Sequence, residues 1–357
     1  MRHDARVFHP SQTSPTSATS AIRRALLALG ATAVTAAALC LAAPQAHAAD
    51  KIIIMVGGIN KLIYLPPKLA ENLGYFKEEG LDVELQSQPA GVDAENELLA
   101  GAVQAVVGYY DHSIDLQSKG KEITSITQLL LVPGGMEMVR SDLAGSVKSM
   151  ADLKGKTLGV TGLGSSSSFI AQYLASRAGL KTSDYSMLPV GAGNTLIAAM
   201  KQKRVDVAWT TEPTTSILLA SGDAKVLVDM SSVDGTRTAL GGLYPASSVY
   251  VHRSWMNSHK AESQKLARAF VKTLKYIQTH SAEEIADKMP KDYYGGNKAI
   301  YVQALKASLA MYSPDGKMPA GGPEQVLKVM AGFNPNIKGK NIDLSKTFTN
   351  EFVDQVK

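Results

Sequence analysis

The sequence predicts an α/β protein of two lobes, each a mixed, mainly parallel sheet flanked by helices. Short, nearly continuous apolar segments alternate with helical segments, as is typical of parallel strands covered on both faces. This pattern repeats weakly at an offset of about a hundred residues. In each repeat one apolar segment precedes a glycine turn and a later one precedes polar residues. Two such units indicate two lobes whose loops face each other.

The first 48 residues have the features of a secretory signal peptide. Arg23 and Arg24 precede an alanine-rich apolar segment, residues 25–43, and Ala46-His47-Ala48 fits a small-x-small cleavage site. We therefore predict cleavage after Ala48 and export to the periplasm. The paired arginines leave the export route open between the general and the twin-arginine pathways.

Loss of this leader changes the composition of the chain. The full sequence has a net charge of +5, but residues 49–357 carry 33 basic and 31 acidic side chains, which excludes a strongly basic nucleic-acid surface. Cys40 is the only cysteine, and Leu39 occupies a position where lipidation requires a small residue, so we expect no lipid anchor. The exported chain then has no disulfide and no cysteine-based metal or catalytic site.

The first strand of each repeat leads into a glycine turn. Residues 51–56 precede Gly57-Gly58, and residues 157–161 precede Gly162-Leu163-Gly164. Four serines, Ser165 to Ser168, follow the second turn, and we predict a helix that begins near Phe169. The free N–H groups at a helix start attract anions, whereas an ordinary serine cap is the alternative interpretation.

Polar residues also follow the later strand of each repeat. Tyr110, Asp111 and His112 follow the apolar segment 102–109, and Thr211 and Glu212 follow the strand that ends at Trp209. Ligands of open α/β sheets bind outside the carboxyl ends of the strands. We therefore expect these polar residues to face one another across a cleft.

These segments resemble a known family, the periplasmic solute-binding proteins of ABC importers, in the group of sulfonate, taurine and nitrate binders and thiamine-pyrimidine (NMT1/THI5-like) binders. The resemblance spans about residues 51–275, and its most specific part is residues 73–85, LGYFKEEGLDVEL. Weaker matches follow in the same order at residues 152–156 (DLKGK), at Gly164-Ser165-Ser166 and at Glu212-Pro213. Residues 280–357 carry no matching motif, and we expect them to form helices that pack onto the first lobe.

The resemblance implies the two-lobed type II periplasmic binding protein fold, in which crossover segments join the lobes and a hinge closes them over a ligand. We expect crossovers near residues 131–140 and 242–252, and we expect Glu137, in the first of them, to be solvated. The predicted division is a leader (1–48), a first part of lobe one (49–135), lobe two (136–243), and a return to lobe one with C-terminal helices (244–357).

The predicted ligand site collects loop residues of both lobes, and by resemblance Gly164-Ser165-Ser166 falls on the family's oxyanion-holding turn. Each polar candidate also has a structural alternative: Lys61 could be solvated, His112 could bond within its loop, and the two carboxylates could cap helices. The tyrosines could belong to the core. The predicted ligand-binding residues are Asn60, Lys61, Tyr64, Tyr110, Asp111, His112, Ser165, Ser166, Ser167, Thr211 and Glu212.

Catalytic signatures are absent from the sequence. It contains no HExxH motif, Ser168 replaces the second glycine of a nucleophile elbow, and Phe169 follows the serines where a phosphate loop requires lysine. The resemblance includes intracellular relatives that synthesise a thiamine pyrimidine with a cysteine-rich, iron-binding motif and pyridoxal phosphate, but this chain lacks those cysteines. We therefore expect a binding protein with no catalytic residues, metal or cofactor.

The sequence thus predicts a monomeric substrate-binding component of an ABC importer, which delivers a small molecule to an inner-membrane permease and binds no nucleic acid. The serines and Lys61 favour a small organic anion, a sulfonate or carboxylate. Asp111 and Glu212 favour the alternative of a thiamine-pyrimidine, another nitrogen heterocycle or a zwitterion, because carboxylates repel a bare anion. A periplasmic ligand sensor for a signalling receptor would share this fold and site.

Overall fold

Apolar segments of the sequence form two five-stranded sheets in the computed structural model, which describes residues 51–356. The predicted signal peptide, its cleavage site after Ala48, and Cys40 lie outside the described residues. The strands in chain order are β1 (Lys51–Val56), β2 (Asp82–Ser87), β3 (Ala105–Tyr109), β4 (Ile123–Gln128), β5 (Gly135–Arg140), β6 (Thr157–Val160), β7 (Ser186–Pro189), β8 (Val207–Thr211), β9 (Ala224–Met230) and β10 (Ser247–His252).

The two sheets have the same topology. The first has the order β2-β1-β3-β10-β4, with β1 parallel to β2 and β3, and with β10 antiparallel between β3 and β4. The second has the order β7-β6-β8-β5-β9, with β6 parallel to β7 and β8, and with β5 antiparallel between β8 and β9. The predicted fold class of two lobes with mixed, mainly parallel sheets is confirmed.

Each antiparallel strand comes from the crossover between the sheets. β5 follows β4 and enters the second sheet, whereas β10 follows β9 and returns to the first sheet. Both strands begin inside the two segments predicted as crossovers, residues 131–140 and 242–252. The division of the chain into lobe segments 49–135, 136–243 and 244–357 remains a prediction.

Helices cover both faces of the sheets. They are α1 (Leu65–Leu73), α2 (Tyr75–Glu78), α3 (Gly91–Leu99), α4 (Asp111–Ser118), α5 (Ser166–Arg177), α6 (Asn194–Lys201), α7 (Thr214–Ala220), α8 (Val233–Leu240), α9 (Arg253–Ser258), α10 (Lys260–Thr279), α11 (Ala282–Asp287), α12 (Lys298–Ser308) and α13 (Gly322–Ala331). Between residues 51 and 356, no helix combines the length and the apolar character that a membrane span requires.

The C-terminal segment, which we expected to pack onto the first lobe, contacts both lobes. Helix α12 packs against α7 of the second lobe, and α13 packs against both α4 and α5. Gln325 on α13 donates a 2.6 Å hydrogen bond to the carbonyl of Leu240. The same segment also pairs with the first lobe through a β-bridge between Tyr312 and Leu130. This double contact was not predictable from the sequence, because the segment matches no motif.

Glu137 is completely buried, so the expectation that it is solvated is wrong. It lies on β5, which is the fourth of five strands in its sheet, opposite Trp209 on β8 and Val228 on β9. A strand in this position is covered on both faces. Neither carboxylate oxygen has a hydrogen-bond partner among the described residues. Burial raises the pKa of Glu137 from 4.5 to about 8.

Candidate ligand-binding site

The loops at the carboxyl ends of the strands bring the two lobes into contact. This is the edge at which open α/β sheets bind ligands. Hydrogen bonds that join the lobes here run from Leu62 N to Glu212 O (2.9 Å), from Val92 N to Ser165 Oγ (3.1 Å) and from Ser166 Oγ to Asp111 Oδ1 (2.7 Å). Polar groups of both lobes therefore meet directly.

Two cavities lie along this junction, and Lys61 lines both. The outer cavity has a volume of about 460 Å³, a size typical of small-molecule sites, and its lining includes Asn60, Pro89, Ile217 and Asp292. The inner cavity has a volume of about 20 Å³, which accommodates one water molecule. It is lined by Lys61, Ile63, Tyr64, Gly91, Tyr109, Thr161, Ser165, Ser166, Ser167, Trp209 and Thr211.

Lys61 is buried, with 9% of its surface exposed, which excludes the alternative of a solvated lysine. Its Nζ donates a 2.7 Å hydrogen bond to the carbonyl of Gly57 and lies 5.7 Å from the ring centre of Tyr64. No carboxylate of residues 51–356 forms an ion pair with it, and burial lowers its pKa from 10.5 to about 8. An ammonium group has three donors, so two remain for a ligand.

The serines do not cap their helix. Helix α5 begins at Ser166, three residues before the predicted start, and no side chain caps it. Instead, Ser165 Oγ accepts from Val92 N of the other lobe, Ser167 Oγ accepts from Thr161 N (3.0 Å), and Ser168 Oγ accepts from Gly164 N (3.0 Å). The first N–H groups of a helix have no intrahelical partner. In α5, Ser168 N donates to Ser165 O (2.8 Å), whereas the N–H groups of Ser166 and Ser167, two residues that line the inner cavity, have no partner among the described residues.

The two candidate carboxylates are engaged away from the cavities. Asp111 is completely buried and accepts hydrogen bonds from Ser166 and from the Tyr244 hydroxyl (2.6 Å). Glu212 accepts hydrogen bonds from the backbone N and the Oγ of Ser216, both 3.0 Å, and so caps α7. Burial raises the pKa of both carboxyl groups. Neither residue lines either cavity.

His112 is also buried, and its Nδ1 forms an ion pair with Glu95 on α3. Burial by itself lowers the His112 pKa, but the Glu95 carboxylate, together with Asp111 and Asp115, outweighs this effect. The pKa is therefore raised from 6.5 to about 9. The imidazole is accordingly a cation at neutral pH.

Tyr110 is not brought to the cavities. Its hydroxyl hydrogen-bonds with Thr347 Oγ1 (2.5 Å), and its ring packs against Phe348. The preceding residue, Tyr109, ends β3 and lines the inner cavity. Adjacent side chains point to opposite sides where a strand ends, so only one of the two tyrosines can face the site.

Sequence reasoning missed several residues of the inner cavity, namely Ile63, Gly91, Tyr109, Thr161 and Trp209. Trp209 carried a detectable signal, because it precedes Thr211 by two residues on β8 and side chains two apart share a face of a sheet. Gly91 carried none, since its contribution depends on the packing of α3 against the second lobe.

The two facing lobes with a ligand-sized junction define a periplasmic binding protein fold. The NMT1/THI5-like family model matches residues 65–284, and the chain belongs to this family. A solved structure from Bordetella bronchiseptica RB50 has a TM-score of 0.83 and 34% identity, and the match covers 85% of this chain and 96% of that one. The alkanesulfonate-binding protein SsuA from Xanthomonas axonopodis pv. citri, bound to MOPS, has a TM-score of 0.66 and 16% identity, with coverages of 84% and 98%.

Two sequence relatives represent the binding and the enzymatic members of the comparison. YtlA of Bacillus subtilis, named as a binding protein, is 22% identical over 72% of this chain and 75% of its own length. The yeast protein THI11 (Saccharomyces cerevisiae), named 4-amino-5-hydroxymethyl-2-methylpyrimidine phosphate synthase, is 27% identical over 40% of this chain and 41% of its own length. The likeness to the synthase thus covers less than half of either chain.

Proposed function

We propose that this protein is the substrate-binding component of an ABC importer and captures a small organic anion, a sulfonate or carboxylate, between its lobes in the periplasm. The observation that carries the proposal is the charge of the inner cavity. Lys61 is the charged residue among those that line it, and none of the others is a carboxylate. Delivery of the anion to a membrane permease and the absence of catalysis belong to the same proposal.

The donors around the inner cavity suit one oxygen atom of an anion, which is what a volume of about 20 Å³ can hold. The Lys61 ammonium group belongs to the first lobe, and the hydroxyls of Ser165 and Thr211 and the free N–H groups of Ser166 and Ser167 belong to the second. Hydrogen bonds to a charged group contribute about 1.5–3 kcal/mol each. Burial removes water from the Lys61 ammonium group and makes its charge unfavourable, and a bound anion would compensate for this loss. The larger outer cavity then accommodates the organic part of the ligand beyond Lys61.

A nitrogen heterocycle is the second candidate, because aromatic side chains line the inner cavity and the yeast relatives are named pyrimidine phosphate synthases. Trp209, Tyr64 and Tyr109 could stack against or enclose a flat ring. Asp111 and Glu212 support a heterocyclic ligand less than the sequence suggested. Both carboxylates accept hydrogen bonds from residues of the protein itself. A periplasmic sensor would use the same site.

A thermal-shift panel tests the ligand class. The purified protein in Tris buffer is melted with ethanesulfonate, MOPS, benzoate, nitrate or 4-amino-5-hydroxymethyl-2-methylpyrimidine. A ligand at 100 times its Kd stabilises by about 2.7 kcal/mol. We expect an organic anion to raise the Tm of the wild type and to lose this effect in Lys61→Met, whereas Lys121→Met, which removes an exposed lysine, keeps it. Stabilisation by the pyrimidine alone would establish the second candidate instead.

A further inference from the structure

A buried ion pair lies close to Gly91 of the inner cavity, and neither ring nitrogen of its histidine has a hydrogen-bond partner among the described residues, although Nδ1 has the carboxylate as its ionic partner. His112 and Glu95 expose only 1% and 4% of their surface, and Nδ1 of the imidazole contacts the Glu95 carboxylate. Nε2 has no hydrogen-bond partner among the described residues. An imidazolium has two N–H donors, and a buried donor without a partner is unfavourable. A hydrogen-bond acceptor that does not belong to residues 51–356 should therefore bond to Nε2.

Nε2 of His112 lies close to Gly91, a residue that lines the inner cavity. A Cβ atom at Gly91 would lie 3.1 Å from His112 Nε2 and 3.9 Å from Ser165 Oγ. Gly91 and Ser165 both line the inner cavity. The backbone of Gly91 is not in the left-handed region, so its conformation does not require glycine. Because Gly91 has no side chain, no Cβ atom covers Nε2 at this edge of the cavity, and we call this opening the gap at Gly91.

We propose that His112 is a second anion donor of this site, which reaches a ligand oxygen through the gap at Gly91, and that Glu95 is the positioning residue that orients the imidazole. The inference rests on the proposed function, since it requires an anionic ligand. Lys61 and His112 would then hold the anion from the first lobe, opposite the start of α5 in the second lobe. Two separate donors from one lobe fit an anion with two or three oxygens, such as a carboxylate or a sulfonate.

The charges around His112 support an imidazolium. The acidic groups that face it are Glu95 on α3 and Asp111 and Asp115 on α4, while α5 and β10 contribute the rings of Phe169 and Tyr250. These carboxylates outweigh the effect of burial and raise the pKa to about 9. Nε2 is therefore protonated near neutral pH. A purely structural ion pair is the competing interpretation.

The decisive variant is Gly91→Ala, because it fills the gap and leaves both partners of the ion pair in place. We expect its affinity for ethanesulfonate and benzoate, measured by calorimetry at pH 7, to fall about tenfold or more, with the Tm of the protein without added probe little changed. Gly145→Ala is the matched control, since a Cβ there meets open space and its backbone is also outside the left-handed region. His112→Gln should lose a similar factor if it folds.

A second readout follows His112 directly. In the wild type, addition of ethanesulfonate should shift the ¹⁵N resonance of His112 Nε2, and Glu95→Gln should lower the His112 pKa and move the loss of affinity to lower pH. Unchanged affinity in Gly91→Ala together with an unchanged Nε2 resonance would overturn the His112 proposal. If Lys61→Met still loses binding in that case, the anion function stands. If neither probe binds the wild type, both proposals fail.

Discussion

Ser166, the first residue of α5, donates a 2.7 Å hydrogen bond to Oδ1 of Asp111, the first residue of α4, and thereby joins the second lobe to the first. Tyr244 donates to the other oxygen of the same carboxylate. Asp111 is completely buried, so the two donors compensate for the water that its carboxylate has lost. Because the two residues belong to different lobes, this contact stabilises the arrangement in which the lobes touch.

We expect Ser166→Ala to shift the protein toward an open arrangement. Loss of the donor leaves Asp111 Oδ1 unsatisfied in the closed form but accessible to water in the open form. Small-angle scattering should show a larger radius of gyration without added ligand, and saturating ligand should reduce it. Ser146→Ala, at an exposed loop serine that bonds only within its own turn, is the control. An unchanged radius in both conditions would indicate a rigid pair of lobes.

The double variant Ser165→Ala, Ser166→Ala should bind an anion more weakly than the wild type. Ser165 Oγ accepts from Val92 N across the junction, and Ser165 lines the inner cavity. We expect the double variant to lose about a hundredfold in affinity, less than the product of the single effects because the residues are neighbours. Because no serine hydroxyl caps α5, the double variant should keep the Tm of the wild type in the absence of ligand. A lowered Tm with an unchanged Kd would instead return both serines to a structural role.

The affinity for an organic anion should decrease above pH 8. Burial lowers the pKa of Lys61 to about 8, so the ammonium is present below that pH and is lost above it. If the anion binds only the charged form of Lys61, its affinity is constant below pH 8 and falls about tenfold between pH 8 and pH 9; loss of the His112 charge then makes the fall steeper above pH 9. Calorimetry between pH 6 and 9.5 measures this. Lys61→Met should bind weakly and lose the step at pH 8, whereas Lys121→Met should reproduce the wild-type profile.

Glu137→Gln should stabilise the protein, increasingly so as the pH rises from 4.5 to 8. In this interval the unfolded chain ionises Glu137, while the folded protein holds it protonated, because burial raises its pKa to about 8. The wild type therefore loses stability as pH rises, by about 3 kcal/mol at pH 7, and glutamine avoids this loss. Denaturant unfolding at pH 4.5 and 7 compares the two, with the exposed Glu122→Gln as control. A pH-independent difference would mean that Glu137 is ionised in the folded protein.

The exported protein should begin at Ala49. Ala46 and Ala48 present the small side chains that the peptidase reads. The intact mass of material from the periplasm measures the cleavage site. A retained leader, or a mass increase from lipid on Cys40, would contradict the predicted processing.

The strands were predictable because their signal is local. The apolar segment 51–56 forms β1 with those limits, and the predicted strand 157–161 is observed as Thr157–Val160. Flanking glycines mark where such segments end, so neither result needs knowledge of the partner strand. The repeat in the sequence corresponds to parallel strands, namely β1 and β3 in the first sheet and β6 and β8 in the second.

The site was less predictable because side-chain direction depends on tertiary packing. Tyr110 is polar at its tip and follows a strand, yet it bonds to Thr347, more than two hundred residues away in the chain. Glu137 is an ionisable residue of a type usually found at the surface, and only the insertion of β5 between two other strands buries it. Serine is a typical helix-capping residue, but these serine hydroxyls accept hydrogen bonds from elsewhere. Ser165 Oγ accepts from Val92 N of the opposite lobe, and Ser167 Oγ accepts from Thr161 N of the preceding loop. Each of these outcomes is decided by residues distant in sequence.

Helix α13 rests on α4 and α5, the two helices that carry Asp111 and Ser166. A change in the distance between these lobes must alter the surroundings of α13, although α13 lines neither cavity. Residues 49–357 contain no cysteine, so Lys328→Cys, at an exposed position of α13, would provide a single attachment point for a fluorescent dye. If ligand binding changes the distance between the lobes, a dye at this position would report binding from outside the cleft.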